Sequence, residues 1–147
     1  MRYIELTESQ PIGQTFYHVT TNNRVKSIMA DGLEPGRHRR WKNSFGATLG
    51  DRGFIYLISN FTEAVRFAAR QDYQHRITKK AAKTVILCIQ NVPTDKLVLD
   101  DHIESQFAGN TWFKLPDVIP PHDIVRVIPL SPELTKQLVN GGTVQGA

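Results

Sequence analysis

Gln14-Thr-Phe-Tyr-His-Val-Thr-Thr-Asn22, followed by Val25, Ile28 and Met29 and then by Asp31-Gly32, decides the fold. Gln14 to Val19 has the β-branched and aromatic composition of a strand. Thr20, Thr21 and Asn22 offer side-chain oxygens that can cap a helix, and the apolar residues after them recur at helical spacing. Gly32 can take the left-handed conformation that ends a helix, so the helix is expected to stop there and Leu33 to pack back beneath it. A strand passing directly into a helix sets the pattern.

Working outward, Glu34 to Gly53 reads as a long loop with Pro35, four glycines and the basic run Arg37-His-Arg-Arg-Trp-Lys42. Loops of that length in a compact domain are usually functional or disordered. Phe54 to Ile58 is expected as a strand, and Ser59, Asn60 and Thr62 as caps for a helix whose apolar face is Phe61, Ala64, Val65 and Ala68. Gln71 to Lys83 is polar enough to suggest a surface excursion. Thr84 to Gln90 reads as a strand buried on both faces. A turn at Pro93 to Lys96 and a short strand at Leu97 to Leu99 follow, then a loop at Asp100 to Asn110 and a strand at Thr111 to Leu115. Ile124 to Ile128 alternates as a strand, and Ser131 can cap a last helix over Pro132 to Val139. The order predicts an α+β fold with a mostly antiparallel sheet, two helices in the N-terminal half and a short C-terminal helix.

The chain has 147 residues, 40% of them hydrophobic and 22% charged, which fits one domain over 1–147. Residues 1–13 are expected as an N-terminal extension and 141–147 as a flexible tail. The single cysteine, Cys88, cannot make an internal disulfide and lies in an apolar run, where it reads as a buried hydrophobe. No secretory signal or membrane span is expected, so the expectation is a soluble cytoplasmic protein. The net charge of +4 suits an anionic ligand without selecting one. Glycine-rich dinucleotide loops, P-loops and zinc-ligand spacings are absent from the sequence.

Three places can carry chemistry. By alternation, His18 and Thr20 share one face of the first strand, and Tyr17 and Val19 the other. A core histidine is the plainer reading there, and a ligand contact the sharper one. Tyr56 is central in an apolar strand, where an aromatic ring is ordinarily core but can stack on a flat heterocycle. Asp100-Asp101 follows a strand, and an inward carboxylate there, or Glu104 nearby, can stabilise positive charge developing on a sugar. The plainer reading is a solvated loop.

Phe16-Tyr-His-Val-Thr20, Gly32-Leu-Glu-Pro-Gly-Arg37, Ile55-Tyr-Leu57 and Ala64 to Ala69, taken in order, resemble the ADP-ribosyltransferase superfamily. Leu99-Asp-Asp101 and Gly109-Asn-Thr111 look most like its small rifampin-modifying branch, which uses a His-Tyr-Asp triad. The resemblance spans roughly residues 15 to 130. It implies a split sheet and transfer of ADP-ribose from NAD, a glycosyltransferase reaction that releases nicotinamide and needs no metal. It further implies that His18 binds ribose hydroxyls with Thr20 in support and that Tyr56 stacks on nicotinamide. Asp101 would hold the ribose and stabilise its charge. Val19, Arg37 and Phe67 would complete the NAD site. The acceptor is left open among protein, nucleic acid, small molecule and water, and residues 37–42 suit an anionic target.

Two departures stand out. Val19 replaces the glycine that relatives carry between His and Thr, and Asn110-Thr-Trp112 has no acid where many relatives have glutamate. Two alternatives follow from the same resemblance. One is an RNA 2′-phosphotransferase, suggested by His-x-Thr and Ile119-Pro-Pro121 but lacking the second histidine at Tyr56. The other is an inactive module of the same fold that binds a nucleotide or a partner.

Overall fold

The computed structural model describes residues 14–35, 41–42, 48–49, 54–77, 82–99 and 111–141. Six strands form one sheet: β1 (Phe16–Thr21), β4 (Ile55–Ile58), β5 (Thr84–Ile89), β6 (Val98–Leu99), β7 (Trp112–Leu115) and β8 (Ile124–Pro129). Their order is β6-β7-β4-β1-β5-β8, and every pair is antiparallel. Two further short strands, β2 (Trp41–Lys42) and β3 (Thr48–Leu49), pair with each other. The stretch read as a long loop therefore contains a ladder, which two-residue strands are too short to announce by periodicity. The helices are α1 (Asn22–Asp31), α2 (Phe61–Ile77) and α3 (Pro132–Gly141).

β5 is the centre of the core, and all six of its residues are buried. Val85, Leu87 and Ile89 face one apolar cluster with Phe16, Leu57 and Leu115, which α1 covers through Ile28 and Val25. Ile86 and Cys88 face the opposite cluster, which α2 and α3 cover through Ala64, Val65, Ala68, Leu134 and Leu138. Burying such a side chain fully is worth about 1.5–3 kcal/mol. The two-sided burial explains why β5 reads as an unbroken apolar run rather than an alternating one. Cys88 is buried, as its surroundings in the sequence suggest.

The helix ends follow local chemistry. The backbone N–H of Gly32 donates to the Ile28 carbonyl at 2.7 Å, and its φ of 85° suits glycine. A β-carbon at Gly32 would strike the Ile119 carbonyl oxygen. Leu33 and Ile119 exchange backbone hydrogen bonds of 2.9 Å in each direction, which seats Leu33 in the core at 1% exposure. Asn60 caps α2, its Oδ1 accepting from the Glu63 N–H at 3.0 Å. Ser131 caps α3 by accepting from the Leu134 N–H at 3.3 Å.

Three expectations are corrected. α1 starts without a side-chain cap bond. The Asn22 amide oxygen instead accepts from the Lys83 N–H at 3.1 Å, and the Thr21 hydroxyl donates to the Asn23 amide oxygen at 2.5 Å. Gln71 to Ile77 is helix, not excursion, because Phe67, Gln71 and His75 keep four-residue spacing and no glycine or proline interrupts them. An Asp72–Arg76 pair at 3.2 Å spans the same turn. Finally, Gly141 is the last residue of α3 rather than the start of a tail. Residues 1–13 and 142–147 lie outside the described residues.

A candidate nucleotide pocket at the fork of the sheet

The ladder between β1 and β4 is registered at one pair, Tyr17↔Ile58. On either side the ladders are longer: β1 pairs with β5 over six positions and β4 with β7 over four. The sheet therefore forks beside Tyr17, and a pocket of about 370 Å³ opens at the fork against the inner face of α2. That size lies in the range of small-ligand sites.

Strand alternation places Tyr56 with Ile58 on the α2 side and His18 with Phe16 on the α1 side. Both still line the pocket, because the backbones part where Val19 and Tyr56 would otherwise pair. His18 bridges the gap: its Nδ1 lies 2.9 Å from the Tyr56 carbonyl oxygen. A carbonyl only accepts, so Nδ1 carries the hydrogen of this bond. The bond fixes the ring's orientation and tautomer.

Val19, Thr20 and Phe67 line the same pocket, so five of the residues singled out in the sequence converge there. Arg37 and Asp101, and with them Asp100, Glu104 and most of the basic run, lie outside the described residues. Phe67 meets Trp112 edge to face, with ring centroids 4.8 Å apart and an interplanar angle of 85°. The Arg70 guanidinium sits 5.7 Å over the Phe67 ring.

Among the lining residues that the sequence does not mark as a site are Arg24, Gln71, His75 and, in part, Trp112. Extending the four-residue rhythm of α2 past Ala68 would have found Gln71 and His75. Arg24 gives no signal of its own, being one cation in the first turn of a helix. Burial lowers its pKa below the usual guanidinium range, and no carboxylate pairs with it among the described residues. Trp112 serves both the α2-side core and the pocket wall. It is 5% exposed, and its indole N–H has no acceptor among the described residues.

Among the described residues, no group of His, Cys, Asp and Glu is placed to hold a metal ion. No described helix is long and apolar enough to cross a membrane. Compared with known proteins, the chain matches no protein-family model and no curated protein.

Proposed function

We propose that the chain is a mono-ADP-ribosyltransferase that takes ADP-ribose from NAD. The observation that carries this reading is the meeting of His18 and Tyr56 at one pocket, with the imidazole held by the Tyr56 carbonyl at 2.9 Å. The residues present suit a nicotinamide riboside. Tyr56 and Phe67 offer aromatic surface for a flat ring, and His18 and Thr20 offer polar atoms for sugar hydroxyls.

NAD supplies a glycosidic bond whose cleavage leaves positive charge on the ribose. His18, held by its Nδ1–H, lines the pocket beside the sugar and helps to orient it. Tyr56 holds the leaving ring by its face. Phe67 and Trp112 form an apolar wall that keeps water off the reacting carbon and strengthens every charge interaction there. Asp101, which lies outside the described residues, is the carboxylate we assign to the developing cation.

Incubation with labelled NAD and whole-cell extract tests the reading. Label should pass to an acceptor as nicotinamide is released. His18→Ala and Tyr56→Ala should each reduce release at least tenfold, and Asp101→Ala should abolish it while leaving some affinity for NAD. Undiminished turnover in both the His18 and Tyr56 variants would overturn the assignment.

A second reading is favoured by Val19. Its side chain, rather than a glycine's bare backbone, lines the wall beside His18 and narrows the approach for a nicotinamide. On that reading the chain is a nucleotide-binding module without turnover. NAD binding in the absence of nicotinamide release distinguishes it.

A further inference from the structure

The two helical walls of the pocket are tied to one short stretch of backbone. Thr21, Asn23 and Arg24 line the pocket where β1 passes into α1, and Gln71 and His75 line it from α2. Ala82 lines it from the chain that leads into β5. The side chains that join these pieces are their neighbours in sequence, Asn22 and Asp72.

On the α1 side the β1–β5 ladder ends at Thr21↔Thr84. One residue further, Asn22 and Lys83 continue it by other means. The Asn22 N–H donates to the Lys83 carbonyl at 2.8 Å, and the Lys83 N–H donates to the Asn22 side-chain Oδ1 at 3.1 Å. Asn22 has already entered the helix, so its backbone carbonyl belongs to α1 and its amide oxygen stands in for the strand carbonyl.

On the α2 side the Thr84 hydroxyl donates to Asp72 Oδ1 at 3.4 Å. Thr84 is only 2% exposed, so its hydroxyl cannot turn to water instead. Arg76, one turn on, holds the other Asp72 oxygen at 3.2 Å.

Lys83 and Thr84 are consecutive, so one dipeptide anchors the start of α1 and the last turns of α2 alike. The Asn22–Lys83 tie is exposed, and water can replace its bonds at little cost in stability. What water cannot replace is the fixed spacing, on which the fit of a ligand depends steeply.

We infer that Asn22 and Asp72 are positioning residues, which set the width of the pocket between α1 and α2 by anchoring both helices to Lys83-Thr84. That NAD is the ligand whose fit they govern rests on the transfer reading above; the anchoring does not.

Two measurements on the whole chain test this. The first is calorimetric titration with NAD. Asn22→Ala and Asp72→Ala should each weaken NAD about threefold to tenfold, the worth of one net hydrogen bond. Asn22→Asp and Asp72→Asn keep an acceptor oxygen in place and should stay within about twofold of wild type. The thermal melt of Asn22→Ala should hardly move. Gly32→Ala, which strains the opposite end of α1, should lower stability and leave NAD affinity unchanged. The second measurement is amide hydrogen exchange without ligand. The Lys83 N–H should exchange at least about tenfold faster in Asn22→Ala, and the amides of Gln71 to His75 faster in Asp72→Ala, with the conservative variants restoring protection.

Unchanged NAD affinity in both alanine variants overturns the inference. So does a loss that the conservative variants share, or one that Gly32→Ala reproduces, since affinity would then merely follow stability. If the wild type does not bind NAD, the transfer reading falls and exchange decides the anchoring alone: faster exchange that the conservative variants reverse upholds it, and unchanged exchange overturns it.

Discussion

His18 meets Tyr56 through the backbone, its Nδ1–H donating to the Tyr56 carbonyl at 2.9 Å across the point where β1 and β4 diverge. The bond does two jobs. It orients the imidazole in the pocket, and it replaces a ladder hydrogen bond that the fork would otherwise cost β4. Removing the side chain should therefore affect stability as well as ligand binding. His18→Ala removes this hydrogen bond to the Tyr56 carbonyl, for which a loss of about 0.5–1.5 kcal/mol is expected. At about 2–4 °C per kcal/mol for a chain of this size, a thermal melt will read it. A melt identical to wild type would show that the contact stabilises nothing.

Trp112→Phe removes the orphaned N–H and keeps most of the ring packed against Phe67. Relief from an unsatisfied donor offsets the smaller apolar area, so without ligand the urea-derived stability should fall by less than about 1 kcal/mol. Trp112→Ala should cost about 3–5 kcal/mol by opening a cavity. Phe and Ala variants that are equally damaging would mean that the indole nitrogen has an acceptor after all.

Gly32→Ala sets a β-carbon against the Ile119 carbonyl oxygen at a φ of 85°. The Leu33–Ile119 bridge holds both partners, so neither retreats easily. A loss of about 1–3 kcal/mol is expected from the backbone strain alone, read as a lower urea midpoint with an unchanged slope. No change would mean that this bridge is loose in solution.

Alkaline pH should destabilise the fold through one buried and one partly buried acid on the α2 side. Burial pushes the Cys88 thiol up, opposed in part by Arg126. Burial also pushes the Tyr17 phenol up, with the charge on Cys88 adding to it. In both cases the folded state resists the anion. The stability they contribute is fully present below the unfolded values, about 8.5 for a thiol and about 10 for a phenol, and is lost as pH rises through the raised folded values. Urea denaturation at intervals from neutral pH upward should show a plateau and then a decline. Cys88→Ala should delay the onset of that decline, and an identical onset would remove the thiol from the account.

Much of this was legible before any coordinates. Val85 to Ile89 is a buried strand because every residue in it is apolar, and a run without polar positions has no face to offer water. Asn60 and Ser131 announce their helices because a short side-chain oxygen is the nearest acceptor for a first-turn N–H. Gly32 announces the end of α1 because few other residues take its φ. His18 and Tyr56 were singled out, but only as members of an ordered set of short motifs.

What the sequence determined by itself is thus what depends on neighbours in the chain: where helices start and stop, which strand is buried, and which residues share a face. The tertiary structure alone decided the fork. Alternation assigns His18 and Tyr56 to opposite faces, and only the single register pair Tyr17↔Ile58 reveals that the strands part in time for both to reach one pocket. It also decided Arg24 and Trp112, whose significance is the absence of a charge partner or an acceptor among the described residues around them. Such a deficit depends on groups from β4, β7 and α2 that are remote in sequence, so no local pattern could display it.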